Sequence, residues 1–166
     1  KPYLFRNGNR IAYVTGNSLY NRLGLTTQVP KNIKVASRET RIIAKIGSIQ
    51  LKPVKSYVDV TDKNYTYLEF LDVIKDIKQI PDSSIASTIK YLKNRLNAFK
   101  KDEIIGIADI SLKYPPRVRA VLGALLESSG VKTGMEQLKK SLNPLTKYEL
   151  GIQKELGEIA ENWNIL

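Results

Sequence analysis

At Tyr65 the apolar residues change their spacing: before it they alternate with polar ones, and from it onward they recur every three to four positions. Alternation suits strands buried on one face, and a period near 3.6 suits helices with one apolar stripe. The chain is therefore expected to be α+β, with a small basic N-terminal sheet that includes a hairpin, followed by a C-terminal bundle of about five to six helices. The loop 56–64 is the expected boundary between a strand-rich module over 1–58 and a helical module over 59–166. At 166 residues and 42% hydrophobic content the chain can form one compact unit in which the two modules share a core.

In the first module, Arg10 to Val14, Asn32 to Ser37, Arg41 to Ile46 and Ile49 to Val54 read as strands. Gly16-Asn17-Ser18 offers a cap to a two-turn helix ending near Leu23, with Gly24 suited to the left-handed backbone that follows. Gly47-Ser48 reads as a two-residue hairpin turn, which sets Ile46 opposite Ile49, Ala44 opposite Leu51 and Ile42 opposite Pro53 on an apolar face. Lys45 opposite Gln50 and Ile43 opposite Lys52 take the other face. In the second module, three capping boxes mark helix starts: Thr66 to Glu69, Thr133 to Glu136 and Thr146 to Glu149. The first helix buries Leu68, Leu71, Ile74 and Ile77, and the next, capped by Asp82 or Ser83, buries Ile85, Ile89, Leu92 and Leu96. A third over Lys101 to Lys113 uses Ile104, Ala108 and Leu112. Pro116 opens a fourth, which carries Val118, Val121, Leu122, Leu125 and Leu126 and stops at Gly130. A fifth covers Met135 to Leu142, and the last aligns Tyr148, Ile152, Leu156, Ile159 and Trp163.

Charge narrows the function. Of the net +11, the first 58 residues carry +10, eleven Lys and Arg against Glu39 alone. Solvated surfaces mix both signs, so this one-sided third reads as a face that meets a polyanion, nucleic acid first. Strand alternation would gather Lys34, Arg38, Arg41, Lys45 and Lys52 on one sheet face, and Arg10, Arg22 and Lys31 would widen it. A plainer alternative is a solvated face whose lysines discourage edge pairing, which leaves the missing acids unexplained. In Tyr114-Pro115-Pro116-Arg117-Val118-Arg119 two arginines fall in the first turn of a helix, where the macrodipole is already positive. They require an anion there, either a phosphate or a carboxylate from a neighbouring helix.

The chain has no cysteine and no histidine. Disulfides, thiolate zinc sites, cysteine nucleophiles, Ser-His-Asp arrangements and imidazole metal sites are all excluded, so a non-enzymatic protein without metal or cofactor is expected. Gly47-Ser48, ten residues and Asp59 match the first half of a nucleotidyltransferase metal motif, but position 61 is Thr61 and the residues between them alternate as a strand. Gln50-Leu51-Lys52 is half of a restriction-type nuclease motif without the acid that should precede it. Gly8, Gly16 and Gly24 fit no phosphate-cradling loop, and neither the aromatic sheet motif of RNA-recognition folds nor the KH glycine loop is present. Salt-sensitive backbone contact is therefore expected, without reading of base sequence. No apolar run approaches a membrane span, so the protein reads as soluble. The first residue is Lys1, which suggests that an upstream segment is missing.

The run from Ile11 to Ile33, IAYVTGNSLYNRLGLTTQVPKNI, resembles the start of the C-terminal domain of AbiEi-family antitoxins, and Leu23 to Pro30 is its most specific part. Further matches come from the hairpin at Ile42 to Val54, the helix at Leu68 to Ile80 and Lys113 to Ala120, so that the resemblance spans roughly residues 8 to 128. The resemblance implies a bacterial, cytoplasmic antitoxin of a type IV toxin-antitoxin system, active in abortive infection and phage defence. It implies a nucleotidyltransferase-like toxin as functional partner, with no stable complex required, and assigns promoter binding and transcriptional regulation to a winged helix that these residues do not include. The expected function is a non-enzymatic antitoxin domain whose basic face touches nucleic-acid backbone. A protein-interaction module that docks an acidic partner or a second copy is the alternative, and a carboxylate nuclease around Asp59 is a third.

Overall fold

The computed structural model describes residues 1–39 and 45–166. The fold is α+β and divides into two compact units, 1–83 and 84–166.

The first unit begins with a 3-10 turn, Pro2–Leu4, and a hairpin of β1 (Phe5–Arg6) and β2 (Asn9–Arg10). Its turn residues Asn7 and Gly8 have φ of 52° and 78°, the left-handed pair that matches the twist of the two strands. The strand expected over Arg10 to Val14 is thus two pieces: Arg10 ends this hairpin, and β3 is Ala12–Thr15. Then come α1 (Asn17–Arg22), β4 (Asn32–Ser37), β5 (Lys45–Ile46), β6 (Ile49–Lys55) and α2 (Tyr65–Lys75). The sheet runs β3-β4-β6-β5, with β4 and β6 parallel and the other two pairs antiparallel. Gly47, at φ 60°, closes the expected two-residue turn, and Lys45 and Ile46 pair with Gln50 and Ile49 as expected. Arg41 and the pairings expected for Ile42, Ile43 and Ala44 lie outside the described residues.

Register decides what each face of the sheet carries. On one face Ala12, Val35 and Leu51 are buried with Tyr3 and Leu4, and Phe5, Ile11, Val14 and Ile33 pack around them. The other face carries Tyr13, Thr15, Lys34, Ala36 and Lys52. Half of that face is covered, because α2 packs on β3 and both the Tyr13 and Thr15 hydroxyls donate to Asp72 Oδ2 at 2.6 Å. The unit boundary therefore follows Ser83 and does not fall in the loop 56–64: the first long helix belongs to the sheet. The box expected at Thr66 to Glu69 is displaced as well. Thr61 and Asn64 cap each other reciprocally, Thr61 N–H to Asn64 Oδ1 at 2.9 Å and Asn64 N–H to Thr61 Oγ1 at 3.1 Å, and Asn64 is the N-cap.

The second unit holds α3 (Ile85–Ala98), α4 (Lys101–Ser111), α5 (Pro116–Ser128), α6 (Met135–Lys140), α7 (Gln153–Leu156) and α8 (Ile159–Asn162). Its core includes Leu92, Leu96, Ile107, Leu122, Leu125 and Leu126, all fully buried. The cap of α3 is Ser84, whose hydroxyl accepts from Ser87 N–H at 3.1 Å, so neither Asp82 nor Ser83 takes that place. Gly134, left-handed at φ 82°, starts α6 without a side-chain cap from Thr133. The long final helix does not form. Tyr148 bridges Ile165 instead, and Gly151 and Gly157, at φ 67° and 61°, interrupt the stretch. Tyr148, Ile152, Leu156 and Trp163 are nevertheless all buried.

Candidate functional site

The uncovered half of the sheet face and the C-terminal end of α2 enclose a recess of about 270 Å³, lined among others by Tyr20, Pro30, Lys34, Lys52, Asp76 and Gln79. A second lobe of about 150 Å³ shares Lys34, Asp76 and Gln79 and reaches Asp72, Lys55 and Lys75. Lys34 and Lys52 are register partners on the parallel strands β4 and β6, so their side chains leave the sheet side by side. Lys45, opposite Gln50, carries the same face to the sheet edge.

The rest of the site holds these lysines in position. Gly16, at φ 68° and ψ −154°, occupies backbone space that is open almost only to glycine. The stem of Lys34 runs across it, since a Cβ at Gly16 would lie 3.3 Å from Lys34 Cδ. Beneath, Asp72 is 2% exposed and receives the two hydroxyls already described. The Tyr20 hydroxyl meets Asp76 Oδ2 and the Asp72 carbonyl, the latter at 3.0 Å. Burial, and after it the Asp76 carboxylate, push the Tyr20 phenol well above its usual value of about 10, so it stays a hydrogen-bond donor. The loop leading to β4 is equally fixed. Asn21 Nδ2 donates to the carbonyls of Thr26 and Gln28 at 3.3 and 3.0 Å, and Gln28 Nε2 donates to Asp82 at 3.0 Å. This leaves Val29 81% exposed beside Pro30, a prong that charge and periodicity gave no reason to notice.

Of the ten cations singled out from sequence, Arg41 lies outside the described residues, and the seven others of the first unit separate into two kinds. Arg10 is held by Asp62 at 2.9 Å and lies over the rings of Phe5 and Tyr65. Arg22 pairs with Glu69, and Arg38 donates to the Ser56 carbonyl at 3.2 Å and lies 3.9 Å from Asp59. These three do not join a sheet face, because β4 ends at Ser37, Arg10 belongs to the separate hairpin and Arg22 to α1. Lys31, Lys34, Lys45 and Lys52 have no ion pair among the described residues. The division follows from chemistry: the planar guanidinium fork pairs with carboxylates, while a compact ammonium remains hydrated. In the second unit Arg117 is exposed, and Arg119 donates to the Ser141 carbonyl at 3.0 Å. Arg119 thus meets the negative end of α6 where a carboxylate from a neighbouring helix was one expectation.

Sequence reasoning missed Asp72, Asp76, Tyr13 and Tyr20. An acid among the apolar residues of α2 was the available signal. No group of three or more acidic side chains among the described residues could hold a metal ion. No described helix is long and apolar enough to cross a membrane. No protein-family model, curated protein or solved structure matches the chain.

Proposed function

We propose that the chain is a non-enzymatic antitoxin domain of the AbiEi kind, whose lysine face contacts nucleic-acid backbone in the bacterial cytoplasm. Its functional partner is a nucleotidyltransferase-like toxin, with which no stable complex is needed. The resemblance over Leu23 to Pro30 supports the family, and that segment is the fixed loop whose Pro30 lines the recess. The observation that carries the contact is the pairing of Lys34 with Lys52. Like charges directly opposite on neighbouring strands repel, and no described carboxylate neutralises either, so an incoming phosphate would relieve the repulsion.

Fluorescence anisotropy with labelled duplex DNA and RNA tests it. Lys34→Glu with Lys52→Glu is expected to weaken binding about tenfold or more while circular dichroism is unchanged, as loss of two phosphate contacts demands. Co-elution of the chain with an acidic protein partner, and no binding to either nucleic acid, would transfer the face to protein docking.

A further inference from the structure

The recess is not uniformly cationic, and that limits what can fill it. Beside Lys34 and Lys52 it exposes the carboxylate of Asp76, which would repel a bare phosphate. Neither lysine is ion-paired with it. Tyr20 occupies Oδ2 of Asp76, and Oδ1 has no hydrogen-bond partner among the described residues. Gln79 adds an amide with both a donor and an acceptor, and Pro30 adds an apolar wall. The ligand must therefore bring an anion for the lysines and an N–H for Asp76 within one small group. At about 270 Å³ the space lies below the roughly 300–1,000 Å³ of drug-sized sites, so a stacked duplex end does not enter.

Within a nucleic acid, the unit that meets both demands is a single nucleotide out of the stack. We propose that the recess receives one unpaired nucleotide bearing an exocyclic amino group, its phosphate on Lys34 and Lys52 and its amino N–H on Asp76 Oδ1, with Gln79 bonding the adjacent ring position. Carboxylates accept from the N4 amino group of cytosine in the same way at other protein–DNA contacts. Thymine and uracil are disfavoured, because their one ring N–H is flanked by two carbonyl oxygens that a carboxylate repels. This inference rests on the polyanion reading above and adds base selectivity to it.

The test is anisotropy of the full chain against equal-length single-stranded oligo(dC) and oligo(dT) at one salt concentration. Flexible oligo(dT) is the strand that a sequence-blind cationic groove accepts most easily, so preference for oligo(dC) is diagnostic. Oligo(dC) is expected to bind about fivefold or more tightly, the net worth of one hydrogen bond. Asp76→Asn keeps a partner for Tyr20 and should raise oligo(dT) toward oligo(dC), and exposed Gln79→Ala should narrow the gap without disturbing the fold. Equal affinities in the wild type, or a gap unchanged in both variants, overturn the proposal. Salt-sensitive binding without discrimination defeats this inference and leaves the polyanion reading standing. No binding to any strand defeats both.

Discussion

Asp72 joins sheet to helix at a single atom: two hydroxyls, from Tyr13 and Thr15, end on its Oδ2, and all three residues are buried. Asp72→Ala removes the acceptor that both hydroxyls share, so urea denaturation should show a loss of about 1–3 kcal/mol. Tyr20 gives a pH signature. Its folded phenol is held protonated while the unfolded one ionises near pH 10, so its contribution is whole below pH 10 and is lost as pH rises beyond. The wild-type urea midpoint should fall more steeply between about pH 9 and pH 11 than that of Tyr20→Phe; parallel curves would contradict this. Gly16→Ala should cost about 1–3 kcal/mol through its backbone region. It should also weaken polyanion binding by moving Lys34. Of these residues Gly16 was read only as part of a helix cap, and Asp72 carried a signal that went unused, an acid among the apolar residues of α2. Asp72 sits inside an apolar helical stripe that reads as core, and Tyr13 and Tyr20 become partners of the acids only once α2 folds back on the sheet.

Among the elements, α5 packs without slack at Gly123. A Cβ on Gly123 would lie 2.2 Å from the Trp163 ring, so Gly123→Ala forces the ring aside. A loss of about 1–3 kcal/mol is expected in thermal melting, with part of it restored when Trp163→Leu is added. Losses that simply add would mean the two residues do not share the space. The stripe on α5 and its Pro116 start were readable from spacing, and so was burial of Tyr148, Ile152, Leu156 and Trp163. The helix drawn through those four was not correct. Gly151 and Gly157 turn the backbone left-handed and deliver the same side chains to the core by short turns. The Gly47-Ser48 hairpin was likewise legible because its signal is local. The parallel pairing of β4 with β6 has no such mark, since nothing in either strand names a partner across the intervening residues. The Asn7-Gly8 turn did carry a readable signal.

For the molecule as a whole, the charge asymmetry changes meaning once the units are known. Along the sequence +10 of the +11 falls in residues 1–58, but the folded unit ends at Ser83 and holds fourteen basic and seven acidic residues. The acids beyond residue 58 account for the difference: Asp59, Asp62 and Glu69 engage Arg38, Arg10 and Arg22. Among the described residues the expected broad basic face is thereby reduced to a lysine face centred on Lys34 and Lys52. That remaining face is the central claim, and the dependence of nucleic-acid affinity on salt measures it most directly. With two to four phosphates engaged, log affinity against log salt should fall with a slope of about −2 to −4 for duplex DNA, and Lys34→Glu with Lys52→Glu should flatten it by about 2. A wild-type slope near zero, or one that the double substitution leaves unchanged, would contradict the account.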